Sequence, residues 1–134
     1  MDELRIKRYR DKINHVVDYI KDLPIEPNNE LEKRGIIYSL QTSIEAIVDL
    51  IAMLTKDLGI QVKNDNTNIS EIVKRRKLKS ELGEKLKKAN GMRNIIVHRC
   101  NDFEEKIILD SVEEIKDLLP KWIEIVEEIL SELS

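Results

Sequence analysis

Cysteine is almost missing from the chain: Cys100 is the only one in 134 residues, so no internal disulfide can staple the fold. Histidine is nearly as scarce. Two histidines, His15 and His98, and the one cysteine offer no closely spaced ligand set, so no metal is expected and no cofactor is called for. With four glycines and three prolines there is no Gly/Ser-rich linker, and no internal repeat occurs, so residues 1–134 read as one domain. Aromatic residues make up 4% of the chain, too few to announce a stacking platform for bases. No apolar run approaches the ~20 residues a membrane helix requires. The start Met1-Asp2-Glu3-Leu4-Arg5 lacks the apolar core of a signal peptide, and a cytoplasmic protein with no membrane span is expected.

A strong excess of one charge is missing too. The formal net charge is -3, so any attraction for nucleic acid has to come from a local basic patch. Lys74-Arg75-Arg76-Lys77-Leu78-Lys79, followed by Lys85, Lys87 and Lys88, is the candidate stretch, although exposed lysines on a helix more often form a solvated face.

Apolar residues recur at helical intervals almost everywhere. Ile6, Tyr9, Ile13, Val16, Val17 and Ile20 mark a first helix that ends before Pro24 and Pro27. Ile37, Leu40, Ile44, Ile47, Val48, Ile51 and Leu54 trace a long second helix that stops at Gly59, with Tyr38, Thr42, Glu45 and Asp49 as its polar flank. Gln61 to Asn68 reads as a loop, with Ser70 as N-cap of a short helix to about Lys77. Leu78, Leu82, Leu86, Ala89, Met92 and Ile96 continue into a further helix closed at Asn101-Asp102. A last region carries Val112, Ile115, Leu118, Leu119, Trp122, Val126 and Ile129, and Pro120 should kink or split it. Trp122 with Leu118, Ile125 and Ile129 is more at home in a core than at an interface. Strict alternation is nowhere long enough for a strand. The expected fold is all-α, an up-and-down bundle of four or five helices.

One stretch looks like chemistry: Gly91-Met92-Arg93-Asn94-Ile95-Ile96-Val97-His98-Arg99-Cys100-Asn101. On a helix, Asn94 and His98 lie four apart and share a face, and Arg93 lies on an adjoining stripe. An imidazole exchanges protons near neutrality, and a guanidinium presents a fork matched to phosphate oxygens. The pattern therefore suits phosphoryl chemistry on nucleic acid. The plain alternative is a surface arginine and a packing or capping histidine near a helix end. His15 has no partner in its local sequence and reads as structural. Glu45 and Asp49 could line a cleft but are left out of the site, since surface carboxylates are common here.

From Gly35 to about Leu119 the chain resembles the HepT-like branch of the HEPN domains, small helical proteins many of which are metal-independent ribonuclease toxins. Two blocks carry the resemblance: Tyr38-Ser39-Leu40-Gln41-Thr42-Ser43-Ile44-Glu45-Ala46, and Gly91-Met92-Arg93-Asn94-Ile95-Ile96-Val97-His98. The second follows the family's Gly-Phe-Arg-Asn-(apolar)3-His signature. The resemblance implies a HEPN-like bundle and places the catalytic arginine on Arg93, its neighbouring asparagine on Asn94 and the catalytic histidine on His98. Two residues past the histidine, where the family usually has a tyrosine that a partner nucleotidyltransferase modifies with AMP, this chain has Cys100. A thiol does not accept AMP as a phenol does, which puts that route of silencing in doubt. Cys100 itself reads as an inert small hydrophobe, with a redox-sensitive thiol or a remnant substrate slot as alternatives.

The resemblance further implies a homodimer whose motif helices face each other. Two copies of His98 would then serve as base and acid on an RNA substrate, with Arg93 neutralising the phosphate and Asn94 orienting an imidazole or touching substrate. The expected function is a metal-independent endoribonuclease, the toxin of a toxin–antitoxin pair whose antitoxin is a minimal nucleotidyltransferase. Two other classes stay open. One is a non-catalytic subunit that docks a nucleotidyltransferase or a nucleotide; the other is a helical dimerisation module.

Overall fold

The computed structural model describes residues 1–98 and 101–134, with Asp102 and Phe103 described through their backbone alone. Among the described residues six helices follow one another: α1 (Glu3–Lys21), α2 (Glu30–Asp57), α3 (Asp65–Arg76), α4 (Ser80–His98), α5 (Asp102–Asp110) and α6 (Val112–Leu133). Among the described residues there is no strand, as the lack of alternation predicts.

Short polar side chains start most of these helices. Asp2, Asn29, Asn64 and Asn101 each accept a hydrogen bond from a first-turn N–H that has no partner inside its own helix. Gly59 stops α2 because the chain turns there through φ +79°, which a residue without Cβ adopts at no steric cost. Lys77 makes the same turn after α3 at φ 53°, a left-handed conformation rare for a residue with a side chain.

α2 is the axis of the molecule and touches each of the other helices. Ile36, Leu40, Ile44, Ile47, Leu50, Ile51 and Leu54 are all but inaccessible, and one buried cluster joins them to Tyr9 and Ile13 of α1, Ile69 and Ile72 of α3, Leu86 of α4, Ile108 of α5 and Trp122 and Val126 of α6. Each such side chain contributes roughly 1.5–3 kcal/mol by leaving water. Trp122 belongs to this core, and its indole Nε1–H donates to the Leu82 carbonyl at 3.3 Å, so the ring enters with its polar atom satisfied.

Several boundaries differ from those read in the sequence. α3 begins at Asp65, capped by Asn64, and Ser70 lies mid-helix. The polar stretch taken for a loop end is a tie: buried Asn68 accepts from the Lys63 N–H at 2.9 Å and donates to the Lys63 carbonyl at 3.2 Å. Asn101 opens α5 through a reciprocal pair of bonds with Glu104, at 3.0 and 3.1 Å, so the helix count reaches six. α6 runs through Pro120 without a break, because the ring sits on the solvent side while Leu118, Leu119, Trp122 and Ile123 hold the helix to the core. Val17 faces out at 45% exposure. α2 is also long and apolar enough to cross a membrane by length and composition, contrary to the sequence expectation, yet its apolar side chains are the ones the other helices cover.

Candidate active site

The buried residues of α4, Gly83, Leu86, Ala89 and Asn90, recur every three or four positions and turn one stripe of the helix inward. Gly83 is required on that stripe: a Cβ there would meet Val73 Cγ2 of α3 at 2.9 Å. Arg93 lies seven residues beyond Leu86 and three beyond Asn90, so it continues the same stripe. Its side chain is only 21% exposed and its Nη2 lies 3.8 Å from Asp65 Oδ2, at the first turn of α3. Asn90 Nδ2 donates to that same oxygen at 3.2 Å. Arg93 Nε and Asn90 Oδ1 are buried without a hydrogen-bond partner among the described residues.

Asn94 and His98 fall on the other side of α4, and both are exposed. The helix thus brings these two to one face, as their spacing predicts, and turns Arg93 toward α3 instead. Cys100 and its neighbour Arg99 lie outside the described residues. Gly91 and Ile95 share the exposed side of α4 and, with Met92 of α4, Ile107 of α5 and Ile115 and Leu118 of α6, line an apolar groove of about 420 Å³.

Three of the eight basic residues in the stretch before the motif are paired within the chain. Arg76 makes a two-pronged contact with Glu132 of α6 at 2.5 and 3.2 Å, Lys85 pairs with Glu81 at 2.9 Å, and Lys87 with Glu84 at 3.3 Å. Lys77, Lys79 and Lys121 border a cleft of about 490 Å³ in which Glu81, Glu114 and Asp117 also take part. Such a surface is mixed in sign, closer to a solvated face than to a phosphate track.

His15 has a partner after all. Its ring stacks on Tyr19 at 4.3 Å with 20° between planes, and Tyr19 leans on Tyr38 of α2 at 6.4 Å. Asp11, Glu45 and Asp49 border the groove beside His15 together with Lys12, which pairs with Asp49 at 3.3 Å, so the surroundings of this aromatic strip are mixed in sign. Sequence reasoning missed the strip: the four-residue spacing of His15 and Tyr19 was a usable signal, whereas Tyr38 joins from a second helix and spacing does not reveal it. It also missed Asp65 and Asn90, although a polar Asn90 on the apolar stripe of α4 was a usable signal.

The family model for "Ribonuclease HepT-like" matches residues 6–129. The chain belongs to the HepT-like ribonuclease family. The match takes in α4 whole, with Arg93, Asn94 and His98 inside it. This HepT-like chain is 41% identical over 130 residues to a protein of Archaeoglobus fulgidus named "Putative RNase", covering 97% of this chain and 98% of that one. A second protein of the same organism and name is 30% identical over 127 residues, covering 92% and 95%. Among solved structures, a chain of the toxin–antitoxin complex MntA–HpeT superposes with a TM-score of 0.78 at 19% identity, over 90% of this chain and 98% of that chain. A tri-AMPylated Shewanella oneidensis HEPN toxin in complex with MNT antitoxin gives 0.71 at 17% identity, over 96% and 99%. At these identities the likeness to solved structures is one of fold, and it makes the HEPN-like bundle expected from the sequence the fold of this HepT-like chain.

Proposed function

We propose that the single domain formed by residues 1–134 is a metal-independent endoribonuclease of the cytoplasm, the toxin half of a toxin–antitoxin pair, that cleaves RNA with Arg93 and His98 in the cleft of a homodimer. The observation that carries this reading is the placement of the Arg93-Asn94-(apolar)3-His98 run: within the matched family region, it sets His98 in the open at the end of α4. The apolar groove along α4 and α5 has the character of a surface for a second subunit.

Each protomer supplies one motif histidine, and strand scission needs two proton transfers. A symmetric pair supplies both. One His98 takes the proton of the ribose 2'-hydroxyl, whose oxygen then bonds to the adjacent phosphorus; the bond from phosphorus to the 5'-oxygen breaks as the second His98 protonates that oxygen. The products are a 2',3'-cyclic phosphate and a free 5'-hydroxyl, with no water or metal consumed. Arg93 offsets the charge that grows on the phosphate, and Asn94, four residues before His98, orients the imidazole or contacts substrate. A minimal nucleotidyltransferase is the antitoxin class, by analogy with the MNT partner named for the Shewanella toxin. With Cys100 at the tyrosine position, neutralisation proceeds by a route other than AMP transfer to that side chain.

The contact of Arg93 with Asp65 favours one other reading, a non-catalytic subunit in which Arg93 is a structural or nucleotide-anchoring residue and a nucleotidyltransferase docks on the same helices. Purified protein incubated with RNA in chelator separates the two. Cleavage is expected, and His98→Ala and Arg93→Ala should each lower it by at least about 10²-fold with the helical circular dichroism intact. Intact RNA under all conditions, or cleavage unaffected by His98→Ala, would overturn the nuclease.

A further inference from the structure

Asp65 reaches Arg93 from a different helix, and it is itself firmly held. It occupies the first position of α3, where the unpaired N–H groups of the turn favour a carboxylate. The preceding residue, Asn64, caps the same turn by accepting from the Thr67 N–H at 2.9 Å. Asn90 is buried and sits one turn before Arg93 on the same stripe of α4, and its amide pins Asp65 Oδ2 at 3.2 Å. The carboxylate therefore has a fixed place relative to α4, and the guanidinium lies against it.

The hold on Arg93 is loose by comparison. A saturated pair would bring two N–H groups to two oxygens below about 3 Å. Here one Nη2 stands at 3.8 Å and Nε, buried, bonds to nothing among the described residues. An arginine placed this way is restrained without being satisfied. Its rotamer freedom is already reduced, and the N–H groups of its terminal nitrogens, not saturated by a contact of 3.8 Å, are left for the paired oxygens of a phosphate.

We infer that Asp65 is a positioning residue: with Asn90 it sets the guanidinium of Arg93 for the scissile phosphate, and so couples the first turn of α3 to the catalytic helix. The inference rests on the nuclease reading above, and Asp65 itself touches no substrate. Removing it frees Arg93 to swing, which lowers the fraction of complexes in reacting geometry without removing the charge that attracts RNA.

Steady-state cleavage of a single-stranded RNA oligonucleotide tests this. Asp65→Ala should lower kcat on the order of tenfold and shift KM by less than about twofold, and Asp65→Glu should recover part of the loss. In an Arg93→Ala background the same Asp65→Ala change should cost nothing further, because it acts through that side chain. An equal loss in both backgrounds, or an unchanged kcat in the single variant, would overturn the inference. If the wild-type protein cuts no RNA, the nuclease reading fails by itself, and the Nη–H resonance of Arg93, from the nitrogen that faces Asp65, then decides the place of Asp65 in ¹⁵N-labelled protein. A signal that moves to the free-arginine position in Asp65→Ala, with the other resonances in place, supports positioning; a signal that stays where it was refutes it.

Discussion

Two arginines of this chain meet an aspartate from another helix, and the two meetings are built differently. At the open end of α1, Arg5 Nε donates to Asp57 Oδ2 at 3.0 Å, the Tyr9 hydroxyl donates to the same oxygen at 2.5 Å, and the guanidinium lies 5.6 Å from the centre of the Tyr9 ring. Asp57 Oδ2 accepts from both side chains, and the knot fastens α1 to the end of α2. At the start of α3, Arg93 stands 3.8 Å from Asp65 with buried atoms unspent on either side. Unpaired buried polar atoms cost stability, so the first cluster is built as a fastener and the second is not, a difference in keeping with the role proposed for Arg93.

The contrast is open to direct attack. The largest effect on stability should come from Asp57→Ala, which orphans the buried Tyr9 hydroxyl and leaves Arg5 without its anion; about 2–3 kcal/mol of unfolding free energy should vanish in urea titrations. A loss below about 1 kcal/mol would show that the knot does not fasten α1. A second effect appears with acid. Burial pushes the Asp57 carboxyl up, but the bonds from Tyr9 and Arg5 outweigh it and hold the group below its ordinary value. Its contribution is then complete above the unfolded value of about 3.9 and is lost as pH falls through the lower folded one. The gap in melting temperature between wild type and Asp57→Asn should accordingly be constant near neutrality and close below about pH 4. Tyr9 acts at the opposite end: burial first, then the bond to Asp57, raises its phenol, so its share is complete below about pH 10 and fades only in strong base. The smallest effect is expected at the incomplete cluster. Asp65→Ala should cost about 1 kcal/mol of unfolding free energy, mainly by leaving the buried Asn90 amide without its acceptor, since the carboxylate is 43% exposed and its pair with Arg93 is long. A larger loss would make Arg93 and Asp65 a second fastener and erase the contrast.

Much of this molecule was legible before any coordinates. Period-3.6 apolar spacing located α1, α2 and the core face of α6, because burial on one side of a helix leaves a repeating mark. The place of Trp122 followed from the same mark. What escaped was written in single polar residues whose partners lie elsewhere: Asn64 and Asn101 opening helices, Asn68 tying a turn, Asp65 meeting Arg93 from 28 positions away. Pro120 misled for a related reason, since its effect depends on which side of the helix faces water. Within the motif, the pairing of Asn94 and His98 on one face came from spacing alone, whereas the direction of Arg93 required knowing that its stripe continues the buried one.

The central position of α2 bears on how the chain is made. During synthesis α2 leaves the ribosome before α4 and α6, the helices that will enclose it, have been translated. For that interval a helix holding an 18-residue stretch with the apolarity of a membrane span is sheltered only by α1 and, once made, α3. Nascent chains of this protein should therefore lean on chaperones until α6 arrives, a hazard that the finished bundle no longer displays.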